Sequence, residues 1–192
     1  DLGSARVCMG EAFLESGRLD EAEKMLQTGL QNLRKNDADI GFTLDALRGL
    51  ARIRSSQGDY EEALANLYRA EGVAMGRVDV KNNFWPCLYD QIGWTHLLRS
   101  KPAEAIGCFS RTVDFTTCPE AQVQSCEGLG RAYLEQGDPV KALLYLKQAA
   151  QLRESKFPGE TVSLGRVFKN LGMAYDLSGN TPEALEAYAK AF

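Results

Sequence analysis

Five segments of this sequence repeat one pattern: a small residue on a helical run, a break, and an alanine opening a second helical run. The segments are Glu11-Ala12-Phe13 to Ala22, Leu50-Ala51 to Ala63, Ile92-Gly93 to Ala105, Leu129-Gly130 to Ala142 and Leu171-Gly172 to Ala184. The alanines stand at 22, 63, 105, 142 and 184, so successive steps are 41, 42, 37 and 42 residues. A fixed period of this size builds stacked supersecondary units that bury apolar surface against their neighbours. Arrays of that kind work by holding other molecules.

Apolar residues keep a 3.6-residue period almost throughout, and alternating strand-like runs are absent, so the chain is expected to be all-α. The pattern predicts ten helices in five antiparallel pairs: 4–16 with 19–34, 40–56 with 59–75, 86–99 with 102–115, 119–136 with 139–153, and 161–178 with 181–192. The units span about 3–38, 39–78, 83–118, 119–158 and 160–192, in a single domain over 1–192. Gly17, Gly58, Gly137 and Gly179 sit where helices end and left-handed backbone is favoured. Ser100-Lys101 replaces that glycine in the third unit, so its turn is expected to differ. Asp59 reads as an N-cap with Glu62 returning the bond, and Asp138-Pro139 and Thr181-Pro182 pair a cap with proline at the first helical position. None of the six prolines falls inside an expected helix, where each would cost about 3 kcal/mol.

Composition narrows the function. No stretch approaches a membrane span of about 18 apolar residues, and no secretory signal opens the sequence. A formal charge of −4 argues against direct nucleic-acid binding, which needs a clustered basic face. Cys8, Cys87, Cys108, Cys118 and Cys126 are an odd number without a Cys-x-x-Cys pair, so they are expected as reduced, buried thiols in a cytoplasmic or nuclear protein. No phosphate loop or metal-ligand cluster is present, and neither cofactor nor metal is expected. His96, the one histidine, falls at a packing position, which leaves no base for a hydrolytic triad. Catalysis is therefore not expected.

Helices of a hairpin approach to about 8–10 Å only where the contact carries little side chain. Ala51, Gly93, Gly130 and Gly172 on first helices, with Ala63, Ala105, Ala142 and Ala184 on second helices, supply that gap. Phe13, Tyr133, Tyr175, Leu26, Leu67, Phe109, Leu146 and Tyr188 fill the space around it. Leu129-Gly130-Arg131-Ala132-Tyr133 with Gly137 and Ala142 resembles the tetratricopeptide repeat, as does Leu171-Gly172-Met173-Ala174-Tyr175 with Gly179, Ala184, Tyr188 and Ala191. Arg54 and His96 replace the aromatic in the second and third units. HEAT and armadillo repeats share the period but lack this spacing. The lengthened unit is similar to those of kinesin light chains and of spindle-orientation adaptors, and Leu152-Arg153-Glu154 through Pro158-Gly159 to Asn170-Leu171 resembles the kinesin light chain register.

The resemblance implies an α-solenoid of five helix-turn-helix hairpins forming a right-handed superhelix, with first helices lining a concave groove. It also implies that residues a turn either side of the repeated glycine hold a peptide. Carried onto this chain, these are Arg48, Arg52, Asp90, Trp94, Glu127, Arg131, Arg166, Lys169, Asn170 and Met173. Of the family's peptide-clamping asparagines only Asn170 stands at such a position. Five of these residues are cations, which suits an acidic, partly apolar peptide or helix of a partner protein, with Trp94 as an aromatic anchor. The expected role is thus a non-catalytic scaffold or adaptor with a peptide-binding groove. The alternative is a regulatory or sensor module of a larger signalling or transcription regulator. Asp1 is not a natural start and Phe192 falls inside the last expected helix, so a longer parent chain is expected. Self-association through the open end around Tyr188 and Phe192 is a third expectation.

Overall fold

The computed structural model describes residues 2–33, 39–79, 81–116, 118–159 and 161–191, the side chains of Asp114, Phe115 and Thr161 excepted. Among the described residues ten α-helices follow one another: α1 (Leu2–Glu15), α2 (Leu19–Asn32), α3 (Ile40–Ser56), α4 (Tyr60–Ala74), α5 (Phe84–Leu98), α6 (Pro102–Phe115), α7 (Pro119–Gln136), α8 (Pro139–Lys156), α9 (Thr161–Leu177) and α10 (Thr181–Lys190). No strand occurs among the described residues. The sequence-derived helices match within three residues. Asp1, Arg34 and Phe192, which the sequence reading assigned to the chain ends and a helix end, lie outside the described residues.

The helices pair as five hairpins and fall into two compact units, Asp1–Asn82 with α1–α4 and Asn83–Phe192 with α5–α10. In the first unit α3 packs on both α1 and α2. In the second, α7 packs on α5 and α6, and α9 on α7 and α8. First helices therefore lie side by side within each unit, and the second helices back them.

Every hairpin turns in the same way. The backbone N–H of Arg18, Asp59, Lys101, Asp138 and Asn180 donates to the carbonyl five residues earlier, on Phe13, Arg54, His96, Tyr133 and Tyr175, each at 2.9 Å. This bond needs a left-handed residue just before the donor. Gly17, Gly58, Gly137 and Gly179 provide it with φ of 74°, 82°, 80° and 75°. Ser100 adopts φ 57° and closes the same bond. The third turn thus does not differ, contrary to expectation, because hairpin packing outweighs the backbone strain of a non-glycine residue.

Two caps also depart from the sequence reading. Asp59 accepts from the Glu62 backbone N–H at 3.2 Å as expected, but the Glu62 carboxylate turns to Arg54 Nε at 2.9 Å. Asn180, not Thr181, occupies the N-cap of α10, and no side chain bonds there. Asp138 caps α8 as expected, accepting from Lys141 N at 3.1 Å.

The core explains the small residues. A Cβ on Gly10 would come within 2.7 Å of Leu26, and one on Gly93 within 2.7 Å of the Phe109 ring. The same addition at Gly130 and Gly172 would overlap Leu146 and Tyr188. Each partner lies sixteen residues ahead on the second helix. Glycines of the following hairpin complete the grip: Gly49 would reach Leu26 at 2.7 Å and Gly128 would reach Phe109 at 2.6 Å. Large side chains thus lock between two backbones at close-packed density.

Where aromatics are replaced, other chemistry takes over. Arg54 pairs with Glu23 of α2 and Glu62 of α4, so an ion-pair node joins three helices. His96 is buried, as its packing position implied. The cysteines diverge from expectation: Cys126 is buried, but Cys8 and Cys87 are exposed because they fall on the solvent stripe of their helices.

Candidate partner-binding surface

Successive first helices α5, α7 and α9 border a shared cleft of about 480 Å³. Its lining comprises Asp90 and Trp94 from α5, Gln124, Glu127 and Arg131 from α7, and Arg166, Lys169 and Asn170 from α9. Seven of the ten residues expected from the sequence therefore converge. Met173 is exposed on α9 but does not line the cleft. Arg48 and Arg52 belong to α3 in the other compact unit.

The electrostatics are less one-sided than a row of cations suggested. Glu127 is only 1% exposed, not a solvated wall residue. Its carboxylate accepts from Nε of Arg166 and, at 3.0 Å, from Nη2, while buried Arg153 of α8 stands 3.9 Å away. A carboxylate taken this far from water persists only with such partners. Arg131 reaches Glu135 at 3.4 Å and lies 5.9 Å from the centre of the Trp94 ring. Lys169 is exposed and forms no ion pair among the described residues.

Trp94 joins a place in the core to the position of an aromatic anchor. Its ring meets Phe109 edge-on at 5.4 Å, which fixes it in the core, yet it remains half-buried and borders the cleft. Its indole N–H donates to Asp90. Ser125, fully buried on α7, donates its hydroxyl to Asp90 Oδ1 at 3.3 Å. Burial pushes the Asp90 carboxyl up to about 7; the Glu127 carboxylate adds to the rise, and the two hydrogen bonds oppose it.

In the first unit, Arg48 lies 3.9 Å from Asp45 and Arg52 lies 3.4 Å from Glu15. Glu11 is held above the usual carboxylate range by burial and by Asp45, against the pull of Arg48 and Arg52. In this patch three carboxylates face two guanidinium groups, so it is no row of cations.

Three contributors escaped the sequence reading. Gln124 precedes Glu127 by one turn and was accessible from helical spacing alone. Ser125 and Arg153 reach the site from buried positions, and only the packing of α7 against α5 and α8 reveals them. At the far end, Val162, Gly165, Arg166, Lys169, Tyr188, Lys190 and Ala191 border a second cleft of about 680 Å³, and Val162 is 89% exposed. No helix among the described residues is long and apolar enough to cross a membrane. No group of three or more potential metal ligands occurs among them.

Comparison with known proteins agrees with this architecture. An array of nearly identical TPR-like repeats assigned as a kinesin light chain of Podosopora anserina superposes with a TM-score of 0.74 at 18% identity, over 97% of this chain and 92% of that one. BtubC (BKLC) of P. vanneervenii gives 0.81 at 18% identity over 95% and 75%. A STAND protein of Pyrococcus horikoshii with a tetratricopeptide repeat sensor gives 0.81 at 16% identity, over 97% of this chain and 28% of that one. No curated protein sequence matches. The family model described as tetratricopeptide repeat matches residues 1–74 and 120–192. With that match across most of its length, the chain belongs to the tetratricopeptide repeat family.

Proposed function

We propose that this chain is a non-catalytic scaffold that holds an acidic, partly apolar peptide or helix of a partner protein. The family's general role is protein–protein interaction, and the cleft of α5, α7 and α9 is the surface that fits it best. The observation that carries this reading is convergence: an aromatic face, two peripheral cations and a side-chain amide meet in one trough. Trp94 offers apolar area, Arg131 and Lys169 attract carboxylates, and Asn170 can bond a peptide backbone. Arg166 contributes less, since Glu127 already neutralises it. Arg48 and Arg52, on α3 of the other compact unit, remain a second candidate contact.

The test is a paired variant, Arg131→Glu with Lys169→Glu, in anisotropy titrations with a short labelled peptide alternating glutamate and leucine. Affinity should fall by about tenfold or more, as expected when like charges replace complementary ones. The thermal midpoint should stay unchanged, because both residues are exposed. Full retention of affinity removes the assignment.

A sensor module is a second reading, favoured by the likeness to the P. horikoshii protein with its repeat-type sensor. In that case the ligand-bound array would change the activity of a domain attached to it in the full-length protein. Exposed Val162 beside the Tyr188 cleft motivates self-association through that end, checked by light scattering against concentration.

A further inference from the structure

We propose that Asp90 makes capture by the α5–α7–α9 cleft depend on protons, so that an acidic partner segment is taken when Asp90 is neutral and released when it ionises. This rests on the cleft being the partner-binding surface, and it assigns that surface a regulator.

The placement supports it. Asp90 lines the same trough as the cations that would receive the partner. Its own hydrogen-bond partners are neutral: Ser125 Oγ of α7 and the Trp94 indole of α5. The charged groups around it are accounted for on each neighbouring element. From α7, Glu127 adds like charge and is itself committed to Arg166 and Arg153, while Arg131 turns to Glu135 and the Trp94 ring. From α9, Arg166 is engaged with Glu127 and Lys169 stands across the cleft. From α6, which backs α5, Arg111 lies over the Tyr89 ring at 5.1 Å. No cation forms an ion pair with Asp90 among the described residues.

A carboxyl in such a place is dominated by desolvation, which favours the neutral form and brings ionisation close to neutral pH. A bound carboxylate ligand would strip more water from Asp90 and place another negative charge nearby. Both raise its proton affinity, so by linkage ligand and proton bind together. Affinity for an acidic segment therefore falls as pH rises through neutrality.

The experiment measures anisotropy with the glutamate–leucine peptide, and with a glutamine–leucine control, at about pH 6 and about pH 8. One unit of coupling would weaken the acidic peptide about fivefold at the higher pH in the wild type. Asp90→Asn should bind it alike at both, and the control peptide should show little dependence. An independent readout is the Trp94 indole N–H resonance of the ligand-free protein, which should shift with a midpoint near neutral pH and lose that shift in Asp90→Asn. Wild-type binding that is equal at both pH values overturns the proton coupling and leaves the surface intact. Equal pH dependence in wild type and Asp90→Asn also overturns it. No binding of the acidic peptide at either pH removes the surface together with its regulator.

Discussion

The buried carboxylate of Glu127 grips the guanidinium of Arg166, a side chain that is itself 59% exposed. The two ends of this pair are therefore unequal. Glu127→Ala deprives buried Arg153 of its carboxylate and should cost about 3 kcal/mol. Arg166→Ala removes both donors from a buried carboxylate but opens it to water from the cleft and leaves Arg153 3.9 Å away, so it should cost less, about 1–2 kcal/mol. Urea titrations of both variants check this; equal losses would mean that the pair behaves as a surface bridge.

Overpacking offers a second test. Gly130→Leu drives side chain into Leu146 and should destabilise by about 1–3 kcal/mol. Gly107→Ala, on the open face of α6 with nothing within 4 Å, should instead stabilise by about 0.5–1 kcal/mol through helix propensity. Thermal midpoints that move in the same direction would count against backbone proximity as the reason for the glycines.

The third turn carries strain that the others avoid. Ser100→Gly relieves a left-handed serine and should stabilise by about 0.5–1 kcal/mol, whereas Gly137→Ala at φ 80° should cost about 1 kcal/mol. Chemical denaturation distinguishes the two; a destabilised Ser100→Gly would assign the serine side chain a bonding role.

Asp90 should leave a signature in stability as well. Its folded-state value of about 7 lies above its ordinary value of 3.8, so between these values the folded chain holds a proton that the unfolded chain has lost. Stability then declines as pH climbs through that window, and the full deficit is present above it. Asp90→Asn should therefore raise stability by about 1 kcal/mol or more near pH 8 relative to its effect near pH 4. Thermal melts at the two pH values measure the difference, and an equal effect at both would place Asp90 in solvent.

Much of the architecture was legible because each hairpin announces itself through local chemistry. Glycine after a helix, aspartate or proline before the next, and a small residue facing a large one sixteen positions on are all contained within a single unit. The cleft was partly legible for the same reason: Asp90 and Trp94, like Glu127 and Arg131, sit one helical turn apart. Partnership was not. Whether a charged residue is solvated or paired depends on what a neighbouring helix brings, so Glu127 read as an exposed acid until Arg166 and buried Arg153 met it. Ser100 misled in the opposite sense, since five equivalent backbone bonds impose one geometry regardless of side chain.

The seating of Phe109 between Gly93 and Gly128 carries a historical consequence. A lock whose ring sits in one hairpin and whose second glycine sits in the next can be inherited only as a unit. Recombination with a breakpoint between residues 109 and 128 would marry a ring to a foreign backbone and leave either a collision or a void. Copies of this array that gained or lost hairpins should carry their crossovers elsewhere.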